Sequence, residues 1–211
     1  MTQIDDDVLT EQPVTLSGGG QVLVLACGAL AREILALIDR NGWSHITLHC
    51  LPAILHNHPE KITTAVQAAI ADKGAGFDSI FVAYADCGTG GQLQAVCDTL
   101  GVQMIAGPHC YAFYEGVTAF AARDEITAFY LTDFLVRQFD AFVWRPLGLD
   151  RHPDLRDMYF GNYEKLVYQA QTDDPALTAK ARDCAARLGL AFERRMTGYG
   201  DLESALQKGT A

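Results

Sequence analysis

The chain has no apolar run near the ~18 residues of a membrane helix, no Cys-x-x-Cys pair and no excess of positive charge. The first absence excludes a helical membrane span. The second removes the local chelate that many zinc and iron–sulfur motifs use. The third is a matter of numbers: 16 Lys and Arg stand against 26 Asp and Glu, a formal net charge of −10. An acidic surface repels phosphate backbones, so nucleic acid is not an expected partner. Two nucleotide signatures are missing as well. The turn CGALAREI (27–34) lacks G-x-G-x-x-G, and His49-Cys50 stands where an acidic ribose ligand would be needed. No Gly-Lys-Ser/Thr occurs, so there is neither an NAD nor an ATP signature. The stretch MTQIDDDVLTEQPVTLSGGG (1–20) has no apolar core of a secretory signal. It reads as a disordered leader ending in a glycine hinge, and the chain is expected in the cytoplasm, where thiols stay reduced. The six cysteines are then buried residues, metal ligands or reactive thiols rather than disulfides.

From residue 21 onward, short apolar runs alternate with amphipathic stretches. QVLVLAC (21–27) suits a strand buried on both faces, and GALAREILALIDRNG (28–42) sets Leu30, Ile34, Leu37 and Ile38 on one helical stripe. HITLHC (45–50), SIFVAYADC (79–87) and VQMIAGPHC (102–110) supply three more strands, with helices over 59–74 and 91–100 between them. This alternation predicts an α/β protein: a parallel, doubly wound sheet of four to five strands with helices on both faces. Residues 125–148, dense in aromatics, are expected to be largely helical, as are 152–171 and 173–190. AFERRMTG (191–198) reads as a closing strand and DLESALQK (201–208) as a terminal helix. Residues 21–211 thus form one expected domain: a βα core (21–115), a helical part (116–190) and a closing strand and helix (191–211).

Each of the four expected strands ends in cysteine: Cys27, Cys50, Cys87 and Cys110. Parallel α/β sheets bind ligands beyond the carboxyl ends of their strands, near the point where strand order reverses. In the order 2-1-3-4, Cys27 and Cys87 flank that point and Cys110 lies one strand further. Three thiols and an imidazole would then face one crevice, a soft donor set suited to zinc or an iron–sulfur cluster. Cys27, Cys87, Cys110 and His109 are the candidate metal ligands. Cysteine also fits tight strand ends simply as a small hydrophobe. A third reading is a reactive thiol, since helix N-termini following Cys27 and Cys87 would favour the thiolate. Cys50 sits on the far side, with His49, His56 and His58 close by in sequence.

In CGTGG (87–91), Gly88, Thr89, Gly90 and Gly91 offer backbone donors to a small anionic ligand, or simply make a helix-entry turn. Glu33 either reaches back to the strand ends or is an ordinary solvated acid, the favoured reading, and Cys97 and Cys184 read as core. Asp133, inside an apolar segment, needs a partner or caps the helix that begins there. The aromatic group Phe129, Tyr130, Phe134, Phe139, Phe142 and Trp144 is core or a dimer surface rather than a cofactor box.

At Cys27 with Glu33, LPAILHNHPEKI (51–62), YADCGTGG (84–91), PHC (108–110) and FYLTDFL (129–135), the chain resembles the DUF1638 family, which is uncharacterised. Its members are often found near corrinoid-dependent methyltransferases, so the resemblance implies a place in methyl-group or one-carbon metabolism. Three readings follow: a metal- or iron–sulfur-binding protein, a metal-free accessory protein for a corrinoid protein or methyltransferase, or a thiol-based transferase using Cys87 or Cys110.

Overall fold

The computed structural model describes residues 5–16 and 19–211; residues 1–4, 17 and 18 of the expected leader lie outside the described residues. The chain packs as two compact units, residues 1–113 with 200–211, and residues 114–199.

The first unit begins with structure where a disordered leader was expected. Helix α1 (Asp6–Glu11) is capped by Asp5, whose carboxylate accepts from the Asp7 amide at 2.8 Å. Asp6 pairs with Arg32 at 2.8 Å, and Leu9 is buried. Strand β1 (Val14–Thr15) then pairs antiparallel with β3 (Ile46–Leu51). The leader is acidic and short of apolar residues, so composition alone hides the few contacts that fix it.

The remaining strands of this sheet are parallel: β2 (Val22–Cys27), β3, β4 (Ser79–Ala83) and β5 (Gln103–Met104). The sheet order is β1-β3-β2-β4-β5, so the chain leaves β2 to one side for β3 and returns to its other side for β4. The reversal therefore falls between β2 and β4, the place it takes in the order 2-1-3-4 supposed above. Helix α2 (Ala31–Asn41) connects β2 to β3 and buries Ile34 and Leu37, the expected stripe; Gly42 stops it in the left-handed region at φ 64°. Helix α3 (Pro59–Lys73) starts on Pro59, whose missing N–H would be unpaired there anyway, and α4 (Gln92–Leu100) links β4 to β5.

A short helix, α5 (Ala112–Glu115), carries the chain into the second unit, followed by α6 (Val117–Arg123). Here the sequence expectation fails. Residues 125–148 hold strand β6 (Ala128–Thr132), helix α7 (Asp133–Arg137) and a π turn at Asp140–Trp144. Residues 152–171 hold helix α8 (Leu155–Phe160) and strand β7 (Lys165–Ala170). Helix α9 (Pro175–Leu188) and strand β8 (Ala191–Met196) follow as expected. The three strands form a parallel sheet in the order β6-β7-β8. AFYLT and KLVYQA are short apolar runs, and periodicity cannot separate such a strand from a turn of buried helix. Helix α10 (Asp201–Gly209) belongs to the first unit, where Glu203 pairs with Arg40 and Asn41 of α2. Among the described residues no helix is long and apolar enough to cross a membrane.

Asp133 is fully buried, and it ties β6 to β7 rather than capping α7; Thr132 provides that cap. Its carboxylate accepts from Tyr168 Oη at 2.7 Å, the Gln171 amide at 3.0 Å, the Thr172 amide at 3.1 Å and Thr172 Oγ1 at 2.6 Å. Asp133→Ala leaves four donors without their acceptor and should cost about 3 kcal/mol or more. Thermal unfolding should then fall by roughly 10 °C; a melting temperature within two degrees of the parent would contradict this role.

Candidate functional site

The carboxyl edge of the first sheet gathers four sulfurs in two different settings. Cys27 closes β2 and Cys50 lies inside β3, both buried. The other two do not end strands. β4 stops at Ala83 and β5 at Met104, so Cys87 and Cys110 stand in the loops beyond, where both remain half-buried. Backbone hydrogen bonds join these loops: the Asp86 amide donates to Gly107 O at 3.0 Å and the Cys87 amide to Pro108 O at 2.9 Å. That pairing brings Cys87 Sγ to 3.1 Å from Cys110 Sγ.

The backbone at Cys87 is itself unusual. Its φ is +48°, the left-handed region, which costs a residue with a Cβ about 1 kcal/mol. The strain is held by Asp86. Its carboxylate accepts from the Gly91 amide at 2.7 Å, from Thr89 Oγ1 at 2.8 Å and from the Gly90 amide at 3.2 Å. These donors, led by Gly91, hold the Asp86 carboxyl below its ordinary range. The anion that Thr89, Gly90 and Gly91 serve is thus the chain's own, and an external ligand at Gly88–Gly91 would have to displace Asp86. Gly88 packs the loop against α3: a Cβ there would stand 3.3 Å from Pro59 Cβ.

The four thiols are not equivalent. Hydrogen bonding from Cys110 lowers the Cys87 pKa more than burial raises it, whereas Cys110 is pushed well up, first by Cys87 and then by burial. The two thiols titrate as a pair: the first proton leaves more readily and the second less readily than from an isolated thiol. Burial pushes Cys27 up to about 12, outweighing the Ala29 amide that favours its thiolate. Burial also raises Cys50, helped by Cys27 and by Glu33. Glu33 is buried, against its reading as a solvated acid. The expected helix-dipole effect at Cys87 is absent because α4 starts five residues later, at Gln92.

The histidines divide. His109 stacks on Tyr111 with ring centroids 5.0 Å apart, and burial lowers its pKa. Burial also lowers His56, with a smaller contribution from His109. His49 instead bonds Thr15 Oγ1 through Nδ1 at 2.8 Å, and His58 faces Glu60 at 3.5 Å. Among the described residues, no group of three or more His, Cys, Asp or Glu is placed to hold a metal ion. Of the proposed ligands Cys27, Cys87, Cys110 and His109, direct sulfur contact joins only Cys87 and Cys110. Cys97 and Cys184 are core, as expected.

Two residues escaped the sequence reading. Asp86 had a signal, an acid followed by Gly-Thr-Gly-Gly, the pattern of a side chain bonding its own loop. Tyr84 had none. It is 1% exposed, and its enclosed hydroxyl finds no full hydrogen-bond partner; the Cys27 sulfur is the group it bonds weakly. Its surroundings are sulfur: Cys27, Cys110, Cys87 and Cys50, in order of influence, all disfavour its ionisation after burial itself.

Because the left-handed turn at Cys87 suits glycine, Cys87→Gly should not destabilise the protein and should raise its melting temperature by roughly 2–4 °C. A fall in melting temperature would show instead that the thiol contributes packing.

The site residues Tyr84, Cys87, His109 and Cys110 lie within residues 50–206, which match the family model described as "Protein of unknown function (DUF1638)"; Cys27 lies outside that stretch. No curated protein and no solved structure matches the chain. With most of its length so covered, the chain belongs to the DUF1638 family.

Proposed function

We propose that the protein performs thiol chemistry at the Cys87–Cys110 pair, with Cys87 as nucleophile and Cys110 as resolving thiol. The observation that carries this reading is the 3.1 Å contact between the two sulfurs at a half-buried loop edge. A thiolate is the reactive form of cysteine, and a neighbouring S–H donor favours it on Cys87. The left-handed turn at Cys87 adds support, because backbone strain of this kind is concentrated at working sites.

The chemistry is direct. Cys87 attacks a sulfur or another soft electrophile, and its leaving group departs with the electron pair of the broken bond. With a disulfide substrate, Cys110 then loses its proton and attacks Cys87 Sγ, releasing the second thiol and closing a Cys87–Cys110 disulfide. The substrate disulfide is reduced by two electrons and the pair is oxidised by two. A methyl group on a good leaving group is another soft electrophile, which brings the one-carbon expectation within the same site.

Iodoacetamide should modify Cys87 first, at least tenfold faster than any other cysteine at neutral pH. Its rate should rise with pH and level off below the range of an ordinary thiol. Cys110→Ala removes the donor to the thiolate and should move that midpoint upward. Equal, slow labelling of Cys87 and the buried cysteines would sink the proposal.

A second reading, capture of zinc or an iron–sulfur cluster, is favoured by one observation: Cys27 is close enough to act electrostatically on Cys110, and Cys87 acts on Cys27 in turn. Thiolates suit a thiophilic metal, but Cys27 would have to move toward the Cys87–Cys110 pair, since no three-donor group is preformed among the described residues. Metal analysis of anaerobically purified protein decides it: sub-stoichiometric zinc and iron, unchanged in Cys87→Ala, would end this reading.

A further inference from the structure

Helix α1 is too short to stand alone. An isolated helix is marginal in water below about 12–15 residues, and α1 spans only Asp6–Glu11. What holds it is where it lies. It packs against the turn Gly28–Leu30, which follows Cys27 at the end of β2, and against the turn Ala53–Asn57, which follows β3. Both turns belong to the carboxyl edge, where a parallel sheet takes its ligands. The chain therefore lays its own N-terminal segment on the β2–β3 half of that edge. Cys87 and Cys110 stand in the loops of the other half, where both are half-buried.

Three contacts dock the helix. Leu9 is 1% exposed and, with Thr10, is all that α1 buries. Asp6 meets Arg32 Nε of α2 at 2.8 Å, with the base still partly in solvent. The Leu9 carbonyl lies so close to Gly28 that a Cβ there would collide with it; the same Cβ would stand 3.1 Å from Leu51 O and 3.2 Å from Ala53 N. A glycine admits this approach of two backbones. Gly28 follows Cys27 directly, so the turn that closes β2 is pinned while Leu9 rests on it.

The next segment is held separately. Beyond Gln12 and Pro13, Val14 pairs with Cys50 and Thr15 with His49, and Thr15 Oγ1 bonds His49 Nδ1 at 2.8 Å. Lifting α1 thus leaves β1 in the sheet. A short helix with one large buried side chain and one part-exposed ion pair belongs to the low end of local stability.

We propose that α1 is a latch on the thiol edge. Docked, it pins the turn after Cys27 and closes that thiol to solvent. Lifted, it admits small electrophiles and thiophilic ligands to Cys27, while Cys87 and Cys110 keep their places. The edge is then a standing pair with a gated third thiol. This holds whether the pair exchanges disulfides or captures a metal.

Iodoacetamide labelling of the folded full-length protein at one pH, resolved cysteine by cysteine, tests the latch. Leu9→Ala should raise Cys27 labelling roughly tenfold or more, with Cys87, Cys97 and Cys184 within about twofold of the parent. Asp6→Arg sets like charges together and should raise Cys27 labelling about threefold. Adding Arg32→Asp restores the pair in reverse and should return the rate toward that of the parent. Hydrogen exchange at the Leu9 and Gln12 amides should quicken in both single variants, and exchange in β2 should not. Cys27 labelling that stays unmoved in the single variants would overturn the latch. So would a rise shared by Cys97 and Cys184, which reports general loosening, or a double variant no slower than Asp6→Arg. Should Leu9→Ala fail to fold, the charge swap alone decides.

Discussion

The carboxylate of Asp86 is the constraint from which the rest of the thiol site follows. By accepting from Thr89, Gly90 and Gly91 it closes the loop after β4 into a tight turn. A turn that tight has to place Cys87 at positive φ, and in that conformation its amide meets Pro108 and its sulfur meets Cys110. The unequal acidity of the two thiols is a result of that contact. The sheet contributes the address, and a single acid contributes the geometry.

The parallel core was legible because β2 and β3 are buried through nearly their whole length and β4 through its last three residues, and such strands read as continuous apolar runs. Their order was a supposition that the structure matches, since reversal beside the first strand is a common way for such a sheet to grow but is not written in any one residue. Three things stayed hidden, each for a physical reason. The leader is held by a cap, an ion pair and a two-residue strand, none of which leaves a periodic trace. β6 and β7 are short, and their aromatics serve a helix as well as a strand. Asp133 reads locally as a cap, whereas its partners Tyr168, Gln171 and Thr172 come from far along the chain.

The candidate site was half legible for a similar reason. Cysteine at the carboxyl edge is a pattern, and the pattern located Cys27, Cys50, Cys87 and Cys110 on one side of the sheet. What distinguishes them is where the strands stop. β4 and β5 end before their cysteines, while β2 and β3 run on through theirs. That difference leaves one pair at the loops and the other in the core. It depends on pairing partners across the sheet, and single-segment reading has no access to those.

The return of α10 has a consequence for how the chain is made. The first unit is not complete until residues 200–211 have been added, because Leu202 and Leu206 are part of its buried interior and Gly209 lies directly against the Phe81 ring. Those residues are synthesised only after the whole second unit. During translation the second unit can therefore close its own sheet while the first still lacks a wall. The length of that interval is set by the eighty-six residues of the inserted unit, 114–199.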